Sequence, residues 1–290
     1  MEEKSIVMKK PSMFKEIWRR LKKNPTAMIG LSLMVLLVLV AVFADQIVPY
    51  SKATELDLAN RLQWPSAQHW FGTDGYGRDV FARIVHGSRY SLSIGFLSTM
   101  IGLLIGGFLG ILAAYYGGLV DSIIMRIADV LVAIPTILLS LAIVSALGAS
   151  VAILIGAIAF TRIPVFTRVI RSAALNLVDQ DFVEAAKAGG TPDLHIIIHH
   201  IIPNAMGTIL VQTTMSVAFV IMQAATLSFL GMGIQAPAPE WGYMLNEARE
   251  FAKNSSYLLW FPGMSIVLAA LSCNLLGDGL RDALDPKLKN

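Results

Sequence analysis

Charge is scarce in this chain. Only 15% of its 290 residues are Asp, Glu, Lys or Arg, 55% are hydrophobic, and the mean hydropathy is +0.64. A water-soluble domain needs a denser polar shell, so the sequence is that of an integral membrane protein. Cysteine is nearly absent: Cys273 stands alone, which excludes an internal disulfide and any paired-cysteine metal site. No Gly-Lys pair occurs, which excludes the phosphate-cradling loop ending in Gly-Lys-Ser/Thr, and neither Gly-x-Ser-x-Gly nor His-Glu-x-x-His is present. Hydrolytic chemistry is not expected of this chain. The net charge of +3 is spread over both ends and the loops without a continuous basic face, which argues against nucleic acid as a partner. His195 and His199 are four residues apart but have no carboxylate or cysteine at ligand spacing; with His200 they read as the polar back of a helix, and no metal or other cofactor is expected here.

What the sequence has in abundance is long apolar runs. About 20 such residues cross a bilayer core, and runs at 27–48, 92–115, 122–146, 151–171, 205–230 and 257–276 meet that length. The fold class is an all-α polytopic membrane protein with six transmembrane helices embedded in lipid. Six spans place both termini on one side. The segment before the first span carries Lys4, Lys9, Lys10, Lys15, Arg19, Arg20, Lys22 and Lys23, and basic residues collect on the cytoplasmic face, so both termini are expected there. That topology puts sixteen of the 23 Lys and Arg residues inside. Phe14, Ile17, Trp18 and Leu21 lie at helical spacing among the N-terminal cations and suggest a short interfacial helix. The first run lacks a small-residue cleavage site and is expected to remain.

The polar interruption at 179–204 falls on the cytoplasmic side by the same count. Asp181 reads as a helix N-cap with Glu184 in the place of a capping-box acid, and Phe182, Ala185 and Ala186 as a small apolar face. Gly189 and Gly190 end that helix. Thr191, Pro192 and Asp193 start another, with Leu194, Ile197, Ile198 and Ile201 as its apolar stripe, and Pro203 and Asn204 closing it.

Several polar residues fall inside the apolar runs, where they are expensive unless paired or functional. Arg126 and Asp129 are one turn apart and are expected to pair, while Pro135 should kink the third span. Arg168 and Arg171 can reach the headgroups; Arg162 is deeper and is a candidate for the inner mouth of a pathway. The fifth span carries Thr208, Gln212, Met215, Phe219, Gln223 and Thr226 at three- or four-residue intervals. Such a stripe suits either a water-contacting pathway or interhelical hydrogen bonding. In the second span Gly102, Gly106 and Gly110 recur every four residues and mark a close packing face toward a helix of this chain or of another subunit.

The 179–204 stretch resembles the cytoplasmic loop of ABC-importer permeases known by its Glu-Ala-Ala motif. Glu184, Ala185, Ala186, Gly190 and Pro203 fit that pattern, whereas His200 stands where it has isoleucine and Ile202 where it has leucine. Phe-Gly-Thr-Asp from Phe71, Gly-Arg-Asp from Gly77, Gly-Ser-Arg from Gly87, Leu-Ser-Phe-Leu-Gly from Leu227 and the Pro-rich stretch leading to Trp241 and Gly242 resemble the dipeptide, oligopeptide and nickel branch, specifically its second permease subunit. The resemblance implies a type I ABC importer permease (MetI-like) fold. It implies two parts: residues 1–90 with the N-terminal segment, first span and outer loop, and 91–290 with a five-helix core whose coupling loop is 178–204. It further implies a homologous second permease subunit, two ABC ATPase subunits that hold the ATP and Mg, and an extracytoplasmic substrate-binding protein. The implied cargo is di- or oligopeptides, with nickel or a metal chelate as the alternative, carried across the cytoplasmic (inner) membrane. Glu184, Ala185, Ala186 and Gly190 would then form the lever that the ATPases push, with Leu194, Ile197, Ile198 and Pro203 in its second helix. Arg162, Gln212, Met215, Phe219 and Gln223 are the candidate pathway residues. An ion-coupled secondary transporter would want an acidic or histidine relay deep in the spans, and only Asp129 offers itself.

Overall fold

The computed structural model describes residues 13–284; Lys4, Lys9, Lys10, Asp285, Lys287 and Lys289 lie outside them. Helix α1, Met13–Leu21, buries Ile17 and Leu21 and turns Trp18 outward, with the Lys22 ammonium 4.9 Å from its ring centroid. Asn24 caps α2, Pro25–Val42, by accepting from the Thr26 and Ala27 amides, and Pro25 sits where no amide partner is lost. Two single-turn helices, α3 at Ala44–Ile47 and α4 at Ser51–Thr54, start the connection to α5, Val80–Tyr116. At 37 residues α5 is much longer than a bilayer core requires, and its capped first turns belong to the outer loop.

The expected third span is not one rod. Its residues divide between α6, Gly118–Ala133, and α7, Thr136–Leu147, whose axes differ by 86°. Ile134 and Pro135 between them are both extended, because the proline ring excludes the helical region for the residue before it. The fourth span, α8 at Val151–Val178, begins with a Ser150 cap. Beyond it come α9, Asp181–Ala188, and α10, Asp193–Ile196, then α11, Ile202–Phe229, α12, Trp241–Ala248, and α13, Tyr257–Leu284. Five helical segments are long and apolar enough to cross a membrane, and the bent α6–α7 pair makes the sixth. Among the described residues there is no strand, only a single bridge between Thr73 and Asp79.

The glycine face of α5 packs against α8 of the same chain. A methyl group at Gly106 would lie 2.4 Å from the Ile163 carbonyl oxygen, and at Gly110 2.5 Å from that of Thr167. Apolar surface gives no drive for helices to associate in lipid, so this close backbone approach is what lets dispersion hold them. The N-terminal end of α2 and the C-terminal end of α13 meet where Gly279 touches Ala27, and Leu284 lies beside Gly207 of α11. Both ends of the described chain therefore sit at the end of the bundle that carries the 179–204 segment.

At the opposite end a buried ion network holds the 55–79 loop to α12. Arg78 meets Asp74 at 2.7 Å and Glu247 at 2.8 Å, and Arg83 meets the same two carboxylates at 2.5 and 2.7 Å. Burial alone would lower the Arg78 pKa, but the facing Asp74 and Glu247 outweigh it and raise it. Glu240, fully buried, caps α12 by accepting from the Gly242 and Tyr243 amides and takes a third hydrogen bond from Ser91 of α5. Burial pushes its carboxyl above the usual carboxylate range, against the pull of those donors.

Candidate coupling elbow and polar cluster

The protruding elbow departs from the sequence expectation in its caps and its buried face. Gln180, not Asp181, occupies the N-cap position of α9, and no side chain bonds to the first amides there. Val183 is the residue that α9 buries completely; Phe182 is 39% exposed, and Glu184 and Ala185 are exposed with it. The turn after α9 closes as expected. Gly190 has φ +75°, its amide donates to the Lys187 carbonyl at 3.0 Å, and the Thr191 amide donates to the Ala186 carbonyl at 3.0 Å. That pair of bonds is the Schellman arrangement, which needs a left-handed residue where Gly190 stands.

In the second helix Ile196, Ile197 and Ile201 are buried, while Leu194 and Ile198 are 65% and 46% exposed. The expected stripe of Leu194, Ile197, Ile198 and Ile201 is therefore rotated: helical spacing alone does not choose between adjacent stripes in a run of isoleucines. Leu194 and Ile198 instead line an apolar groove of about 780 Å³ whose other wall is α5, with Leu104, Phe108 and Tyr116.

Pro203 does not close the helix. Ile197–Ile201 form a π turn in which the Ile202 amide donates to the Ile197 carbonyl, five residues back. The widened turn takes up the missing amide and ring clash of Pro203, and the chain continues as one 37-residue helical segment from Asp193 to Phe229. The second helix of the elbow and the fifth span are thus a single rod, to which the turn at Gly190 joins α9. Asp193 at its tip accepts from the Tyr115 hydroxyl at 2.7 Å, which fastens the rod to the end of α5, and Lys187 lies over the same ring. His195 and His199 stack at 4.0 Å on the exposed side. Among the described residues no group of three or more His, Cys, Asp and Glu side chains is placed to hold a metal ion.

The charged residues of the spans pair differently from the local reading. Asp129 pairs with Arg168 of α8 at 2.6 Å, not with Arg126, and Arg171 pairs with Asp121 through two guanidinium nitrogens. The bend at Pro135 lays the acids of α6 against α8, which gives each of these arginines a carboxylate partner. Three of the candidate pathway residues meet around Ser216: Arg162 donates to its hydroxyl at 3.0 Å, Gln212 lies 3.4 Å from the same oxygen, and the Phe219 ring sits 4.8 Å from the Arg162 guanidinium carbon. Met215 turns elsewhere, against Gly277 of α13. Gln223 is buried at 3% exposure and donates to Ser140 of α7 at 3.0 Å and Thr161 of α8 at 3.4 Å. Ser216, Ser140 and Thr161 carried no motif and emerge only from the packing. For Gln223→Leu we expect thermal stability in detergent to fall by only about 0.6–2 kcal/mol, the worth of an interhelical hydrogen bond, with transport of any substrate unchanged; a selective loss of uptake would return Gln223 to the pathway.

A bent six-span bundle with a rod that extends from its fifth span toward the cluster of short helices at 181–196 is a polytopic α-helical membrane fold, and the family follows from its relatives. The chain belongs to the family of binding-protein-dependent transport system inner membrane components, whose family model matches residues 106–290, and the model for the N-terminal transmembrane domain of oligopeptide transport permease C matches residues 12–65. It is 47% identical over 279 residues to a dipeptide transport system permease protein of Alkalihalophilus pseudofirmus, covering 96% of this chain and 91% of that one. It is also 47% identical over 274 residues to a glutathione transport system permease protein of Escherichia coli, covering 94% and 90%. Among solved structures it resembles an inward-facing methionine ABC transporter, with TM-score 0.58 and 18% identity over 70% of this chain and 97% of the other. An amino acid ABC transporter follows, with TM-score 0.53 and 19% identity over 72% and 95%. These two likenesses bear on the fold.

Proposed function

We propose that the chain is one permease subunit of an ATP-driven importer that carries di- or oligopeptides across the cytoplasmic membrane. The observation that carries the cargo is the near full-length likeness to permeases named for dipeptide and glutathione transport, both cargoes being short peptides. In this reading a homologous second permease completes the pathway, two ATPase subunits bind ATP and Mg, and an extracytoplasmic binding protein delivers substrate to the end held by the Asp74–Arg78–Arg83–Glu247 network. Both termini and the elbow lie in the cytoplasm, as the basic N-terminal segment favours.

The ATPases seat on the face of α9 that carries the exposed Glu184 and Ala185, with Ala186 half-buried at its edge and Gly190 fixing the turn behind them. The continuity of α10 with α11 supports a mechanical role: a displacement that reaches α10 through the tight turn at Gly190 is passed along a helix instead of being absorbed in a loop. Ile197 anchors the rod to the bundle, and the π turn at Pro203 keeps it unbroken. Leu194 and Ile198 remain on the surface as contacts for a second subunit. Closure of the ATPases would tilt α11 and shift the cluster of Arg162, Gln212 and Phe219 between inward and outward exposure. The test is uptake into proteoliposomes holding the complete assembly, with ATP inside. Labelled alanyl-alanine or glutathione should accumulate after the ion gradients are collapsed. Accumulation of nickel and not peptide would overturn the cargo, and uptake that tracks an ion gradient without ATP would overturn the class.

A further inference from the structure

Arg162 is unlike the other two arginines in the inner part of α8. Arg168 and Arg171 each face an aspartate of α6, but Arg162 has no carboxylate within ion-pair reach among the described residues. Only 7% of it is exposed. One guanidinium nitrogen donates to Ser216, the face of the group rests on Phe219, and its Nε is sealed from solvent with no hydrogen-bond partner. A guanidinium is always charged, and a charge in a span with donors to spare is costly unless an anion or water reaches it. Its planar fork matches a carboxylate. We propose that Arg162 is an anion site inside the membrane and that its ligand is the terminal carboxylate of a peptide in transit. This rests on the peptide reading above and names the part of the substrate that the site takes.

Geometry favours a small mobile carboxylate over a fixed acid on a second subunit. The half-exposed ring of Phe219 lies over the Arg162 guanidinium, 4.8 Å from its carbon, and only 7% of the arginine is exposed, so a narrow group on a flexible chain reaches it more readily than a fixed acid would. A single arginine backed by one hydroxyl and one aromatic face also holds a carboxylate loosely, as a pathway must if it is to release what it accepts. Every short peptide with a free C-terminus carries that group whatever its side chains, so such a site admits varied peptides.

The test uses the complete importer with Phe219→Cys in this chain, whose native Cys273 is buried. The new thiol is treated with a sulfonate-bearing methanethiosulfonate and with an uncharged one. We expect the rate ratio of anionic to neutral reagent to fall at least about tenfold on adding Arg162→Gln, as loss of a nearby cation in a medium of intermediate dielectric would give, and to fall less with Arg162→Lys. Alanyl-alanine should slow labelling where alanyl-alaninamide does not. An unchanged ratio overturns the anion site. Protection by both peptides, or by neither, overturns the carboxylate as its ligand. A position that refuses both reagents, or a second permease that no longer co-purifies with the Arg162→Gln chain, overturns the proposal in favour of a contact between subunits. Failure of the peptide reading shows separately, as absence of peptide uptake by the unmutated importer.

Discussion

Gly190→Pro is expected to leave the protein folded and in the membrane but to lower ATP-driven uptake more than tenfold. Proline holds φ near −65° and has no amide, whereas Gly190 sits at +75° and donates to Lys187. The substitution therefore removes one of the two bonds that end α9 and forbids the backbone conformation that orients α9 toward α10. The strain amounts to about 1–3 kcal/mol and is local, since the space around Gly190 is open and little packs on it. Gly190→Asn, which tolerates the left-handed region, should keep most transport. Glu184→Lys leaves the backbone alone and reverses a charge on the exposed face of α9, so it should uncouple by weakening ATPase binding. Co-purification of the ATPases and uptake would be measured together. Normal uptake by Gly190→Pro or Glu184→Lys would remove the elbow from the coupling mechanism.

A second large effect is expected at the other end of the bundle. Asp74 accepts from Arg78, Arg83 and the Tyr76 and Arg78 amides while only 5% exposed. Asp74→Ala leaves two buried guanidiniums sharing Glu247 alone, and breaking a buried ion network from one side costs about 3–5 kcal/mol. Thermal unfolding in detergent should show that loss. The exposed pair Asp45–Arg89, whose side chains are 58% and 38% accessible, provides the contrast. Asp45→Asn should shift stability by no more than about 1 kcal/mol, because solvent screens the charges, Arg89 keeps the Ala41 and Val42 carbonyls, and asparagine leaves an amide oxygen where the carboxylate faces His86 at 4.0 Å. Equal effects at the two sites would show that the network does not hold the outer loop.

The spans were legible in the sequence because lipid sets a minimum apolar length that composition reports directly. The Gly102–Gly106–Gly110 face and the left-handed turn at Gly190 were legible for a similar reason: each depends on what glycine lacks. The groupings of side chains were not. Asp129 looked local to Arg126 but belongs to Arg168, since the 86° bend at Ile134 and Pro135 decides which helix α6 faces. Pro203 looked like a terminator, and whether a π turn absorbs it depends on the packing of Ile196, Ile197 and Ile201. The polar stripe of α11 read as one set of residues, yet Gln223 turns into the bundle, Met215 toward α13, and Gln212 and Phe219 to Arg162.

The chain's residues by themselves determined its solvent and the number of its spans, because hydrophobic length and glycine spacing act without reference to distant parts of the chain. Which buried charges are matched and which is left waiting is set by contacts between helices far apart in sequence. Only the tertiary structure decided that Arg168 and Arg171 have carboxylate partners while Arg162, six residues before the first of them, has none among the described residues and meets Ser216 and Phe219 instead.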